Sequence, residues 1–352
     1  MQKKLHIIPF LLVSFFVFSQ QDYYNNIDFT KSGIALKNDL ATLITNTHTN
    51  TLSYNETKET LKIIDLKPNQ TTNILLLYGF SNNTCSTSNN NDHRLRNKNN
   101  FGGGTSCQWN REHTFAKSLG NPNLGTSGPG ADVHHLRACD VQRNSSRGNK
   151  KFATGTGNSG SVSNGWYPGD EWKGDVARMM MYMYLRYGSQ CLPTLIGVGS
   201  TANTPDDMID LFLQWNVDDP VSDYEKIRNN YLEDTNNTYG QGNRNPFIDN
   251  PYLATKIWGG ANAQDIWGTL SSDSFSFNCF KMYPNPNSGN TLYFQTKNNI
   301  KIELFNILGK KIINKTITTT NNRLDISSIS KGIYLVKISS NNKTITKKLV
   351  KK

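Results

Sequence analysis

Residues 109–118 read WNREHTFAKS, and residues 131–152 read ADVHHLRACDVQRNSSRGNKKF. The first stretch sets a carboxylate and an imidazole side by side, Glu112 and His113, directly after Arg111. Adjacent acid and base residues are common by chance. The second stretch makes a site of them, because it is dense in side chains that donate to phosphate or bind a hard cation: Asp132, His134, His135, Arg137, Arg143, Asn144, Arg147 and Asn149. His113 suits proton abstraction, since an imidazole titrates near neutrality and a backbone carbonyl on its other nitrogen can set the tautomer. Glu112 and Asn144 offer the oxygen donors that Mg²⁺ prefers, leaving coordination positions for water and a phosphate oxygen. Arg147 can make a two-pronged contact with phosphate. Plainer readings exist for the same residues. Asn144 can cap a helix starting near Ser145, and Arg147 can pair with Asp140 or Asp175. The pair His134-His135 invites a zinc reading but lacks a third soft ligand at suitable spacing.

At 352 residues the chain is long for one domain and comfortable for two. Its start reads as an export signal: Lys3 and Lys4, the apolar run LHIIPFLLVSFFVF, then Val17 and Ser19 ahead of a cleavage point before Gln20. No later run has the ~18 apolar residues that a spanning helix needs. The expectation is a secreted monomer without a membrane span, extracellular or attached at the cell surface. Five cysteines fit such an oxidising compartment. Cys85 with Cys107 is the first expected pair, because the Asn- and Gly-rich stretch between them cannot build a core. Cys139 with Cys191 is the second, leaving Cys279 over.

The formal net charge of +11 is not evenly spread. Residues 281–352 carry fourteen Lys/Arg against Glu303 and Asp325, whereas residues 5–280 carry 22 basic and 25 acidic side chains. Global charge therefore says little about the middle of the chain. Within it, residues 94–151 hold ten bases and three acids, and residues 206–234 hold nine acids and two bases. A basic face beside an acidic one can steer a polyanion to one side. A solvated loop is the plainer alternative.

Helical spacing runs through residues 22–66, with Ile34, Leu36, Leu40, Leu43 and Ile44 along one face. NILLLYGF (73–80) suits a buried strand, and residues 81–106 read as a long polar loop. The clearest helix spans 170–188, capped by Asp170 and stopped by Gly188, with Trp172, Val176, Met179, Met180, Met183 and Tyr187 in one stripe. Its methionines read as core filler. Helices are also expected over 206–217 and across DYEKIRNNYL. From residue 281, turn residues and short β-branched runs replace these patterns, at the spacing of a small antiparallel sandwich.

NREHTFAKS followed by DVHHLRACDVQRNSSRGN resembles the endonuclease I family, secreted or periplasmic nucleases of the ββα-metal (His-Me finger) type. KGDVARMMMYM and QGNRNPFIDNPYLATKIW look like further blocks of that family, so the likeness spans roughly residues 23–260. The resemblance implies an α+β fold, with a helix-rich catalytic domain built around a ββα finger and a small all-β sandwich after it. The implied domains are a signal peptide over 1–19, the catalytic domain over 20–270, a linker over 271–280 and the sandwich over 281–352. The implied activity is Mg²⁺-dependent hydrolysis of DNA and also RNA with little sequence preference, leaving 5′-phosphates; Mn²⁺ and Ca²⁺ are the candidate substitutes. Carried over residue by residue, His113 is the general base, with Arg147 as its catalytic partner at the phosphate. Glu112 and Asn144 are the metal ligands. Asn149 matches the motif's second asparagine and is expected, with Arg111 and Arg143, to contact substrate, while Asp132 and His135 are expected to support the site. Three positions depart from the family pattern: His135 stands where it commonly has Asn, Ala138 where it has Pro, and Arg143 where it has an apolar residue. The segment from YPNP through LFNILGKKI to GIYLVKI is similar to the C-terminal sorting domains of Bacteroidetes type IX secretion, which implies that export machinery as a partner. The rival reading is a secreted nucleic-acid-binding or adhesion protein on a degenerate nuclease fold.

Overall fold

A computed structural model describes residues 22–83, 85, 91–104, 107–268, 281–295, 299–340 and 343–352. The leader and Cys279 lie outside the described residues. The chain divides into two compact units, with the boundary between Trp267 and Gly268.

The first unit opens with α1 (Gly33–Thr47) and α2 (Tyr54–Ile64). In α1 the buried positions are Leu36, Leu40 and Ile44, while Ile34 is exposed and Leu43 half-buried, so the core stripe is narrower than the apolar pattern. α2 starts on a capping box in which Ser53 and Glu56 satisfy each other's backbone N–H groups. The apolar run at 73 gives the short β1 (Asn73–Leu75), paired antiparallel with β2 (Leu95–Asn97). That second strand lies inside the stretch expected to be loop. It is held there by the buried Arg96, whose guanidinium pairs with Asp140. The disulfide Cys85–Cys107 closes the same stretch.

β3 (Trp109–His113) and β4 (Leu136–Asp140) form an antiparallel ribbon with His113 opposite Leu136 and Trp109 opposite Asp140. β4 is buried on both faces, with Leu136 and Ala138 in one apolar cluster and Cys139 in the other. The helix α3 (Val141–Arg147) follows without a loop, because the Asp140 carboxylate accepts from Gln142 N and Arg143 N as its N-cap. This corrects the capping reading of Asn144: the helix starts at Val141 and Asn144 sits within it. Gly148 ends the helix at φ 56, a conformation that favours glycine. Strand, strand and helix together make the ββα unit.

A hairpin of β5 (Gly160–Val162) and β6 (Gly165–Tyr167) leads to α4 (Lys173–Tyr187). α4 is buried almost all round, from Gly174 to Leu185, and forms the axis of the unit. Asp170 does not cap it; its carboxylate accepts from Gly157 N and the Tyr167 hydroxyl instead. Around α4 lie α5 (Pro193–Ile196), α6 (Asp210–Asp218), α7 (Asp223–Glu233), α8 (Pro246–Asp249) and α9 (Tyr252–Trp258). α6 begins later than expected because Asp206 turns back to accept from Met208 N and pairs with Lys37. The expected Cys139–Cys191 bridge is absent: both are free and buried, and the Cys139 thiol donates to Leu77 O at 3.4 Å. Each sits in packed core, which explains burial without a bridge.

The second unit is all-β. One sheet orders β10 (Lys311–Ile317), β9 (Ile300–Asn306), β12 (Gly332–Ser340) and β13 (Lys343–Lys351); the other orders β11 (Arg323–Asp325), β8 (Thr291–Gln295) and β7 (Lys281–Tyr283). Every strand pair is antiparallel. Alternation places Ile300, Ile302 and Leu304 inside, against Leu292, Phe294, Val336 and Ile338.

Candidate active site

An open cleft of about 590 Å³ runs along the ββα unit, lined by Tyr54, Arg111, Glu112, His113, Lys117, Asn144, Arg147 and Asn149 among others. The order of side chains on β3 arranges it. With a two-residue period, Asn110 and Glu112 point one way while Arg111 and His113 point the other.

The His113 ring is fixed at one nitrogen: Nε2 lies 2.9 Å from the Gly130 carbonyl oxygen. A carbonyl only accepts, so Nε2 carries the proton and Nδ1 is the free acceptor. Burial foremost, then the neighbouring His135, pushes His113 down to about 3, so the ring is neutral at ordinary pH. His135 makes the parallel bond, Nε2 to Pro129 O at 2.8 Å, with its ring 5.6 Å from that of His113. His134 is turned elsewhere, to Asn243 O at 3.1 Å. Two histidines committed to carbonyls do not make a zinc site, and no cluster of three or more His, Cys, Asp or Glu exists among the described residues to hold one. Asp132 anchors the same loop. Its buried carboxylate accepts from Tyr182, Tyr187 and Gln241 at 2.7, 2.8 and 3.1 Å. Burial alone would raise this carboxyl, but His48, His134 and these donors outweigh it and hold it below the usual carboxylate range.

Glu112 is 2% exposed. Its Oε1 accepts from the Tyr78 hydroxyl at 3.0 Å and faces Arg147 Nη1 at 3.2 Å, while Oε2 has no hydrogen bond among the described residues. Burial, only partly offset by Arg147 and Tyr78, pushes the carboxyl up to about 7. A cation beside it would offset that burial. Asn144 donates Nδ2 to Asn110 Oδ1 at 2.8 Å and to Arg111 O at 3.2 Å, which leaves its Oδ1 without a donor among the described residues. Two hard oxygens, each oriented by the partner on its other atom, fit a small divalent cation.

The arginines fall out differently from expectation. Arg147 is 1% exposed. Its Nη1 donates to His113 O at 3.1 Å and its Nη2 to Thr114 O at 2.8 Å, so the fork expected for phosphate is engaged by protein acceptors, and Nε has no partner among the described residues. Nor does it pair with Asp140 or Asp175, which face Arg96 and Arg137. Arg143 is outside the cleft, donating to Asn91 O and to Ser159 at 3.0–3.2 Å. Arg111 and Asn149 do line it, and so does Lys117, which the motif reading missed. Tyr78 and Asn110 were missed as well. Asn110 was legible in principle, two positions before Glu112 on the same strand face, whereas nothing local marks Tyr78.

Comparison with known proteins identifies the family. Residues 32–252 match the family Endonuclease I, and residues 281–352 match the secretion system C-terminal sorting domain. An extracellular ribonuclease of Bacillus amyloliquefaciens is 41% identical over 239 residues, covering 65% of this chain and 75% of the relative. One of Bacillus subtilis (strain 168) is 41% identical over 249 residues, covering 67% and 78%. No helix among the described residues is long and apolar enough to cross a membrane. The chain is a secreted or extracellular nuclease belonging to the endonuclease I family, with a secretion-type sorting domain at its C-terminus.

Proposed function

We propose that this nuclease is a Mg²⁺-dependent endonuclease that hydrolyses RNA and DNA with little sequence preference, using His113 as general base. The observation that carries this reading is the Nε2–Gly130 O bond, which leaves Nδ1 as an acceptor in a cleft shared with the unpartnered oxygens of Glu112 and Asn144. Nδ1 takes a proton from water as its oxygen attacks phosphorus, the 3′-oxygen leaves, and the product keeps a 5′-phosphate. Mg²⁺ held by Glu112 and Asn144 would supply charge neutralisation at the phosphoryl and leaving oxygens. Arg147 holds Glu112 and the end of β3 in place, and phosphate contact falls to Arg111, Lys117 and Asn149 at the cleft wall. Low specificity follows because these contacts address the phosphodiester backbone. Two Bacillus relatives named as ribonucleases support RNA as a substrate. Residues 20–270 act as the catalytic domain, and residues 281–352 address the chain to type IX export machinery. The test is cleavage of RNA and plasmid DNA by the full-length protein, with Mg²⁺ or EDTA, beside His113→Ala. EDTA should abolish cutting and His113→Ala should slow it at least about a hundredfold. Cutting that persists in EDTA, or at full rate in the variant, sinks the mechanism.

A further inference from the structure

Tyr54 stands in the first turn of α2, half-buried, with its ring in the cleft wall and its hydroxyl making no hydrogen bond among the described residues. Two side chains from the same face of β3 close on that ring. The Arg111 guanidinium lies 3.5 Å from the ring centroid, and its Nη1 also donates to the Tyr54 carbonyl. The His113 ring stacks on Tyr54 at 5.7 Å between centroids and 29° between planes. The Ser53–Glu56 capping box fixes the backbone from which the tyrosine projects.

The rotation of an imidazole about its terminal torsion is soft, with broad minima. One hydrogen bond at Nε2 therefore fixes where the His113 ring sits better than how it is turned. Proton abstraction needs both, because the acceptor lone pair lies in the ring plane. We propose that Tyr54 is a positioning residue for the general base: its ring, clamped by Arg111, sets the plane of the His113 imidazole so that Nδ1 addresses the attacking water. This rests on His113 as the base and adds the element that orients it. A tyrosine placed only for packing would not need an arginine gripping both its carbonyl and its ring at the mouth of a polar cleft.

The test measures kcat and KM for RNA cleavage by full-length protein at saturating Mg²⁺. It compares wild type, Tyr54→Leu, Tyr54→Phe, His113→Ala and the Tyr54→Leu/His113→Ala double variant, with a thermal melt of each. Tyr54→Leu is expected to lower kcat about 10- to 100-fold, the scale of a misplaced reacting group, with KM within about threefold. Tyr54→Phe keeps the ring and should recover most of the rate. In the His113→Ala background the leucine substitution should cost less than about twofold, because residues acting as a unit are not additive. Should Tyr54→Leu melt below the assay temperature, Tyr54→Met takes its place and must show the same pattern. A loss carried wholly by KM would make Tyr54 a stacking surface for nucleobases and overturn the proposal. So would Tyr54→Phe performing as poorly as leucine, or losses that multiply in the double variant while His113→Ala shows its usual defect. His113→Ala at wild-type rate would instead remove the base reading itself, and with it anything to position.

Discussion

The side-chain amide of Asn144 can present either its oxygen or its nitrogen to the cleft, and only the oxygen can meet a cation. Its neighbours decide. Arg111 O accepts and cannot donate, so Nδ2 must lie toward it, and Asn110 Oδ1 takes the second proton of that nitrogen. If Asn144 is a metal ligand as proposed, Asn110 acts on the cation without touching it, as partners that orient a ligand generally do. Replacing it with alanine removes one of the two acceptors that hold the amide, leaving Arg111 O alone to orient it, with Glu112 and His113 in place. For Asn110→Ala the Mg²⁺ concentration giving half-maximal cleavage should rise about tenfold or more, with the rate at saturating Mg²⁺ changing far less. A titration of initial rate against Mg²⁺ that overlays wild type would show that Asn144 is not held as a ligand. Arg147 illustrates the converse. Its motif position marks it for phosphate, yet its burial and two backbone carbonyl acceptors make it part of the frame that holds Glu112.

At the scale of elements, the loop between β3 and β4 does more than connect them. Pro129 O and Gly130 O are each gripped by a histidine, and Asp132 ties the loop to α4 through Tyr182 and Tyr187. Burial foremost pushes His135 down to about 4, with His134 and Arg147 adding to the shift and Asp132 opposing it. The folded ring therefore refuses a proton that the unfolded chain takes up near pH 6.5. Because the unfolded state binds more protons at this position in that window, the contribution of His135 to stability falls as pH drops from about 6.5 to about 4 and is flat above. Asp132, held below the usual range, adds a loss in the same direction only below about pH 4. For His135 alone the shift corresponds to about 3 kcal/mol at most. His135→Asn can still donate to Pro129 O and does not titrate. Urea unfolding at pH 7, 5.5 and 4.5 should show wild type losing ground to the variant as pH falls, whereas parallel curves would refute the assignment. Much of this region was legible in advance. Glu112, His113 and Asn144 line one cleft as their pattern implied, and a helix forms close to the expected 170–188, though it is buried almost all round rather than along one stripe. The strand at Leu95, the turning inward of Arg143 and Arg147, and the unbridged cysteines were not legible. Each depends on an acceptor or a packing partner distant in sequence, such as Asp140 for Arg96. Tyr54 belongs with these, since only the fold brings α2 against β3.

The whole molecule divides its charge unequally between its two units. Residues 281–352 carry twelve more basic than acidic side chains, while residues 5–280 carry three fewer. The β unit has its own apolar core, from Leu292 to Leu349. An excess of lysine is expected to act on a nucleic acid at long range, by raising the local concentration of polyanion, and not on the chemical step. Such an effect must follow the screening length, which is about 30 Å at 0.01 M salt and about 8 Å at 0.15 M. Comparing the full chain with a protein ending at Trp267, kcat should agree within about twofold, because the catalytic groups and their partners all lie before that residue. At 0.01 M salt the shorter protein should need several times more RNA to reach half-maximal rate, and at 0.15 M the two should nearly coincide as screening removes the steering. A difference in KM that persists unchanged at the higher salt would mean that the β unit makes direct contact with substrate. A drop in kcat on shortening would mean that it supports the fold of the catalytic unit, in which case the two are not energetically independent.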